Sequence, residues 1–121
     1  MELQILPQDF AVCKISTAEN VDFSREFVFI SKTDDEISLV CESAYTPVDA
    51  TACETGWRGL KVSGILDFSM VGVIAKIAGL LADAGISIFV ISTYNTDYVL
   101  IKSERLDDCV QVLERGGYVC K

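Results

Sequence analysis

Between Trp57 and Cys120 the chain changes its hydrophobic period in a fixed order, and that order leaves few folds open. "WRGLKVSGIL" sets Leu60, Val62 and Ile65 among small and polar residues and reads as a strand. Met70, Val71, Ile74, Ile77, Ala78 and Leu81 then recur at helical spacing. Ser69 stands where an N-cap belongs, and Gly85 closes the helix just past its end. "ISIFVIS" is β-branched and aromatic, the composition of a buried strand, and "DYVLIK" returns beside it after a polar turn. "RLDDCVQVLERGG" puts Leu106, Val110 and Leu113 on one helical face before two glycines, and "YVC" is a short last strand. The order β-α-β-β-α-β is that of a ferredoxin-like split βαβ unit, with two helices on one face of an antiparallel sheet. The class is α+β.

The first half is less regular. "LQIL", "FAVCKIS", "EFVFISK" and "EISLVCES" read as strands, with Pro7 interrupting the first pair. Laid on itself without a gap, "FVFISKTDDEISLVCES" (27–43) matches "IFVISTYNTDYVLIKSE" (88–104). Ile30 then falls on Ile91, Ser31 on Ser92 and Leu39 on Leu100. Both segments are hairpins with a polar five-residue tip, KTDDE in one and TYNTD in the other. Upstream, "FAVCKIS" plays the part of "LKVSGIL", and a DFS triplet follows each (22–24 and 67–69). The reading is an internal duplication: a shortened unit over 1–56, with room for only a turn of helix, and a full unit over 57–121.

Composition narrows what such a chain does. A net charge of −8 opposes nucleic-acid binding, which needs a basic surface, and opposes docking on an anionic membrane. No apolar run approaches the roughly 18 residues that span a bilayer, and "MELQILPQDF" lacks the form of a signal peptide, so the expected setting is the cytoplasm. The five cysteines, Cys13, Cys41, Cys53, Cys109 and Cys120, form no CxxC pair and read as small buried hydrophobes in a reducing compartment. With no histidine, Ser-His-Asp and Cys-His catalysis are excluded within one chain. No nucleophile–base pair is visible, no metal or cofactor is implied, and the expectation is a non-catalytic protein.

Topology then brings two polar segments together. In a split βαβ unit the loop after the first strand and the hairpin after the second leave the sheet at one edge, here "LDFSMVG" (66–72) and "STYNTD" (92–97). The first helix starts there too, with unpaired N–H groups near Val71, Gly72 and Val73 that attract an anion. Asp67 and Asp97 bring negative charge to the same place, and Gly72 allows close approach to the backbone. Donors for a carboxylate beside acceptors for an ammonium or guanidinium suit a zwitterion, most simply a free amino acid. The plainer reading stays beside it: Ser69 and Asp67 cap a helix, and Asn95, Thr96 and Asp97 shape a turn.

The run "LDFSMVGVIAKIAGLLADAGISIFVISTYNTDYVLIK" resembles the ACT domain. More narrowly, it is similar to small bacterial double-ACT proteins with units akin to those of aspartate kinase; arginine sensors of the CASTOR type contain similar units. The resemblance implies tandem ferredoxin-like ACT units, the first truncated. It also implies a small ligand, usually an amino acid, bound between paired units and acting through how they pair. By position it implicates Asp67, Phe68, Ser69, Val71 and Gly72 in one segment, and Ser92, Thr93, Tyr94, Asn95 and Asp97 in the other. It implies a homodimer and an effector protein that the sequence does not identify. The alternative function is a dimerisation module with no ligand.

Overall fold

One strand, β1 (Glu2–Ile15), runs through Pro7 without interruption. Glu2 and Leu3 pair with β7 (Val119–Cys120), and pairing with β3 (Ile37–Glu42) begins only at Phe10. Pro7, which has no N–H to give, lies outside both of those ladders, and the expected break does not occur. The structure, a computed structural model, describes residues 1–121 and divides them into two compact units. One is Gln8–Trp57; the other joins Met1–Pro7 to Arg58–Lys121. The opening residues of β1 thus pack with the later unit, where the sequence suggested consecutive blocks.

In the larger unit, the end of β4 (Ala52–Val62) is followed by α1 (Val73–Asp83), β5 (Phe89–Ser92), β6 (Asp97–Lys102), α2 (Leu106–Arg115) and β7. That is the βαββαβ order, and its strands lie in the sequence β7-β1-β4-β6-β5. Leu60 and Val62 on β4, like Val99 and Ile101 on β6, are two residues apart and share a sheet face. Ile77 and Leu81 on α1, like Cys109 and Leu113 on α2, are four apart and form the stripes that cover it. Leu3, Ile86 and Tyr118 complete this core. β5 lies at the sheet edge with Val90 and Ser92 exposed, so it is half-buried where a buried strand was expected. Neither helix is long and apolar enough to cross a membrane.

The first helix begins later than its pattern suggested. Met70 and Val71 belong to the preceding turn and are 45% and 90% exposed. The N-cap is Gly72, at φ +77°, rather than Ser69, and it caps with no side-chain bond. Gly85, at φ +72°, ends the helix as expected, with the Ile86 N–H donating to the Leu81 carbonyl at 2.9 Å.

In the smaller unit, the order is β2 (Val28–Lys32), β3, β1 and the start of β4. It has no α-helix, only a single 3-10 turn at Ser43–Tyr45. Its core is Ala11, Cys13, Ile15, Leu39 and Cys41, with Val28 and Ile30 packed against them.

The two hairpins share one geometry, but one residue out of the expected register. Lys32 pairs with Ile37 and Ser92 with Asp97, which leaves four-residue turns at 33–36 and 93–96. In each, a threonine N–H donates to the carbonyl three residues on, Thr33 to Glu36 and Thr93 to Thr96, both at 2.9 Å. Thr33 therefore corresponds to Thr93, and the buried trio Leu39, Val40 and Cys41 to Val99, Leu100 and Ile101. The overlay of Ile30 on Ile91 matched apolar identities, but a one-residue slip exchanges sheet faces, and the turn sets the register. The helical core gives a direct expectation. Leu81→Ala should lower the unfolding free energy by about 2–5 kcal/mol in a denaturant titration. Ile65→Ala, at a position 76% exposed, should change it by less than about 0.5 kcal/mol.

Candidate functional site at the β4–α1 loop and the β5–β6 turn

After β4 the chain turns sharply at Asp67. Its Oδ1 accepts from the Ser69 N–H at 2.8 Å, and its carbonyl accepts from the Met70 N–H at 2.9 Å. The hydrogen bonds from Ser69, backbone first, hold the Asp67 carboxyl below its ordinary value. The other DFS triplet builds the same turn, with the Ser24 N–H 3.0 Å from Asp22 Oδ1. The aspartates of both copies thus act first on their own backbone.

The opposite wall is the hairpin. Ser92 ends β5 and Asp97 begins β6, and the Ser92 hydroxyl donates to Asp97 Oδ1 at 2.6 Å. Thr93 closes the turn by donating its hydroxyl to the Thr96 carbonyl at 2.9 Å. Thr96 is 3% exposed, and its hydroxyl donates to the Val62 carbonyl at the end of β4, 2.7 Å away. The Leu66 N–H reaches the Asn95 carbonyl, also at 2.7 Å. Loop and hairpin are therefore bonded to each other. At their outer edge Phe68 and Tyr94 meet edge to face, centroids 5.1 Å apart, and remain 75% and 80% exposed.

These pieces enclose an open cavity of about 360 Å³. Eight of the ten residues expected there line it: Asp67, Phe68, Gly72, Ser92, Thr93, Tyr94, Asn95 and Asp97. Ser69 and Val71 do not; the Ser69 N–H is turned onto Asp67, and Val71 is 90% exposed. The lining also includes Val73, whose N–H was expected there, and Leu66, Met70, Ile74, Ala75 and Thr96, which the sequence did not single out as site residues. The late helix start explains three of them. The first intrahelical bond runs from the Lys76 N–H to the Gly72 carbonyl, 3.0 Å, so the N–H groups of Val73, Ile74 and Ala75 precede the ladder. The signal for this was Gly72, a residue suited to the positive φ that separates the turn from the helix.

Chemically, the cavity offers helix N–H donors on one side and two carboxylates, Asp67 and Asp97, among hydroxyls and an amide. It holds no basic side chain. Such a lining can take a carboxylate at the helix end and a cation at the aspartates.

The comparisons agree with this architecture. A family model described as ACT domain matches residues 52–115. The chain belongs to the ACT domain family, a family of regulatory domains. The human cytosolic arginine sensor for mTORC1 subunit 1 is 40% identical over 60 residues, covering 49% of this chain and 18% of the sensor. The chain thus matches less than a fifth of that relative's length. Among solved structures, the Agobacterium tumefaciens protein Atu0741 superposes with a TM-score of 0.88 at 31% identity, over 99% of this chain and 91% of that one. The ligand-free regulatory subunit of aspartate kinase from Thermus thermophilus shares the fold at a TM-score of 0.66 and 11% identity, over 93% and 95% of the two chains.

Two measurements probe the site's construction. An acid titration followed by NMR should place the Asp67 carboxyl midpoint below the ordinary value near 3.9, with the Ser69 amide reporting the same transition. A depressed folded-state value gives stability that is present above the unfolded value and is lost as pH falls through the folded one. Gly72→Ala should cost about 1 kcal/mol through its backbone alone, since a Cβ there meets nothing within 4 Å.

Proposed function

We propose that this chain is a non-catalytic regulatory module of the cytoplasm that binds a free amino acid in the cavity between the β4–α1 loop and the β5–β6 turn. The observation that carries the reading is that first-turn helix residues with unpaired N–H groups and the two acidic residues Asp67 and Asp97 line one cavity of about 360 Å³. That volume lies at the small end of ligand sites, the size of a metabolite rather than a cofactor. The α-carboxylate would sit at Val73–Ala75, and a cationic group would sit at the aspartates. Arginine heads the list of ligands, because two carboxylates favour a guanidinium and the similar human protein is named an arginine sensor.

Regulation follows if the ligand binds one pairing of ACT units better than another. The cavity is open, and Phe68, Val71 and Tyr94 stand exposed at or beside it, which suits a site completed by a second copy in a homodimer. The same exposed rim favours a second reading, a dimerisation module with no ligand.

Thermal unfolding against the twenty amino acids, each at millimolar concentration, separates the two readings. A ligand at a hundredfold excess over its Kd adds about 2.7 kcal/mol to the folded state, and arginine is expected to raise the midpoint most. Asp97→Ala should abolish the shift while lowering unliganded stability by no more than about 1 kcal/mol. A panel with no shift, from a chain that sediments as a dimer, would replace the sensor by the dimerisation module.

A further inference from the structure

The smaller unit holds a pair of thiols that the cavity does not use. Cys13 on β1 and Cys53 on β4 place their sulfurs 3.0 Å apart. Thr51 pins the strands beside them, its N–H and its hydroxyl both donating to the Lys14 carbonyl, at 2.9 and 3.1 Å. The two thiols differ in access: Cys13 is 3% exposed in the core, while Cys53 lies on the surface. Expected from the sequence as a buried small hydrophobe, Cys53 is instead open to solvent. A disulfide needs sulfurs about 2.05 Å apart, so closing the bond moves them by only about 1 Å.

We propose that Cys13 and Cys53 form a reversible dithiol–disulfide site, oxidised by a small-molecule disulfide of the glutathione class. Cys53, the accessible partner, attacks as thiolate on one sulfur of the oxidant. A mixed disulfide forms on Cys53, and the first small thiolate leaves and takes up the proton that Cys53 lost. The Cys13 sulfur then attacks the Cys53 sulfur and expels the second small thiolate, which takes the Cys13 proton. Two protein thiols are oxidised, and one small disulfide is reduced to two thiols.

The environment orders these steps. Burial first, then the hydrogen bond and charge of Cys53, push the Cys13 thiol up to about 12, so it does not react ahead of its partner. Once Cys53 is capped as a mixed disulfide, its thiol bond and its charge no longer act on Cys13, and the reactive sulfur lies beside it. Cys41, held above its ordinary value chiefly by burial, belongs to the same core and is the bystander. The site does not depend on amino-acid binding.

The test equilibrates the whole folded chain with mixtures of reduced and oxidised glutathione, quenches with an alkylating agent, and maps the thiols by peptide mass spectrometry. The expected result is the joint, reversible loss of the Cys13 and Cys53 thiols, joined in one cross-linked species, with Cys41, Cys109 and Cys120 still alkylated after unfolding. Cys41→Ser should leave that bond intact. Cys53→Ser, a change at an exposed position, should leave Cys13 reduced at every ratio. Five thiols that stay reduced at the most oxidising ratio, a pairing of Cys13 with Cys41, or a Cys53 that stops at the mixed disulfide would each overturn the proposal.

Discussion

Thr96 is the buried polar residue of this chain, and its hydroxyl has one satisfactory place to go. Out of water and without a partner it would cost the folded state about 1–3 kcal/mol; bonded to the Val62 carbonyl it tethers the hairpin to the end of β4. The Leu66–Asn95 backbone bond lies next to that tether and fixes the loop against the turn. From there the geometry of the cavity follows. Asp67 folds the loop, Gly72 reverses the backbone and starts the helix, and the helix N–H groups face the hairpin. The wall is held by one buried hydroxyl and one backbone bond, while Ser92 and Asp97 bond to each other at the rim.

The two hairpins share one geometry and differ at their tips. Both turns close with a threonine N–H to a carbonyl, and both strands that follow bury three consecutive residues. At the tips the chemistry separates: Asp34, Asp35 and Glu36 in the first, Tyr94, Asn95 and Thr96 in the second. The first copy also has no α1, so its DFS turn leads into no helix and presents no first-turn donors. A common scaffold thus carries two different surfaces, and only the second brings donors and acceptors to face each other.

Much of this was legible in the sequence. The order of strands and helices after Trp57, the closing Gly85 and the meeting of residues 66–72 with 92–97 follow from periodicity and topology. Three particulars were not legible. Met70 and Val71 satisfy helical spacing but lie before the helix, because spacing cannot see a left-handed glycine at 72. The overlay of Ile30 on Ile91 rewarded apolar identity, whereas the threonine turns set the register. Pro7 looked like a strand breaker, but β1 runs through it, outside its ladders with β3 and β7. The exposure of Cys53 beside a buried Cys13 depends on how β1 meets β4, which no local pattern carries.

The pairing of Glu2 and Leu3 with Val119 and Cys120 has a consequence for how the chain acquires its structure. The sheet of the larger unit is completed by residues from opposite ends of the sequence, so its closure pays a large loop entropy and comes late. Residues 8–57 meet their partners within a short stretch and can organise while the first seven residues still wait for a place. During synthesis, then, Glu2 and Leu3 are made well before their partners Val119 and Cys120, and until those partners arrive that edge of β1 is open to any other strand that reaches it.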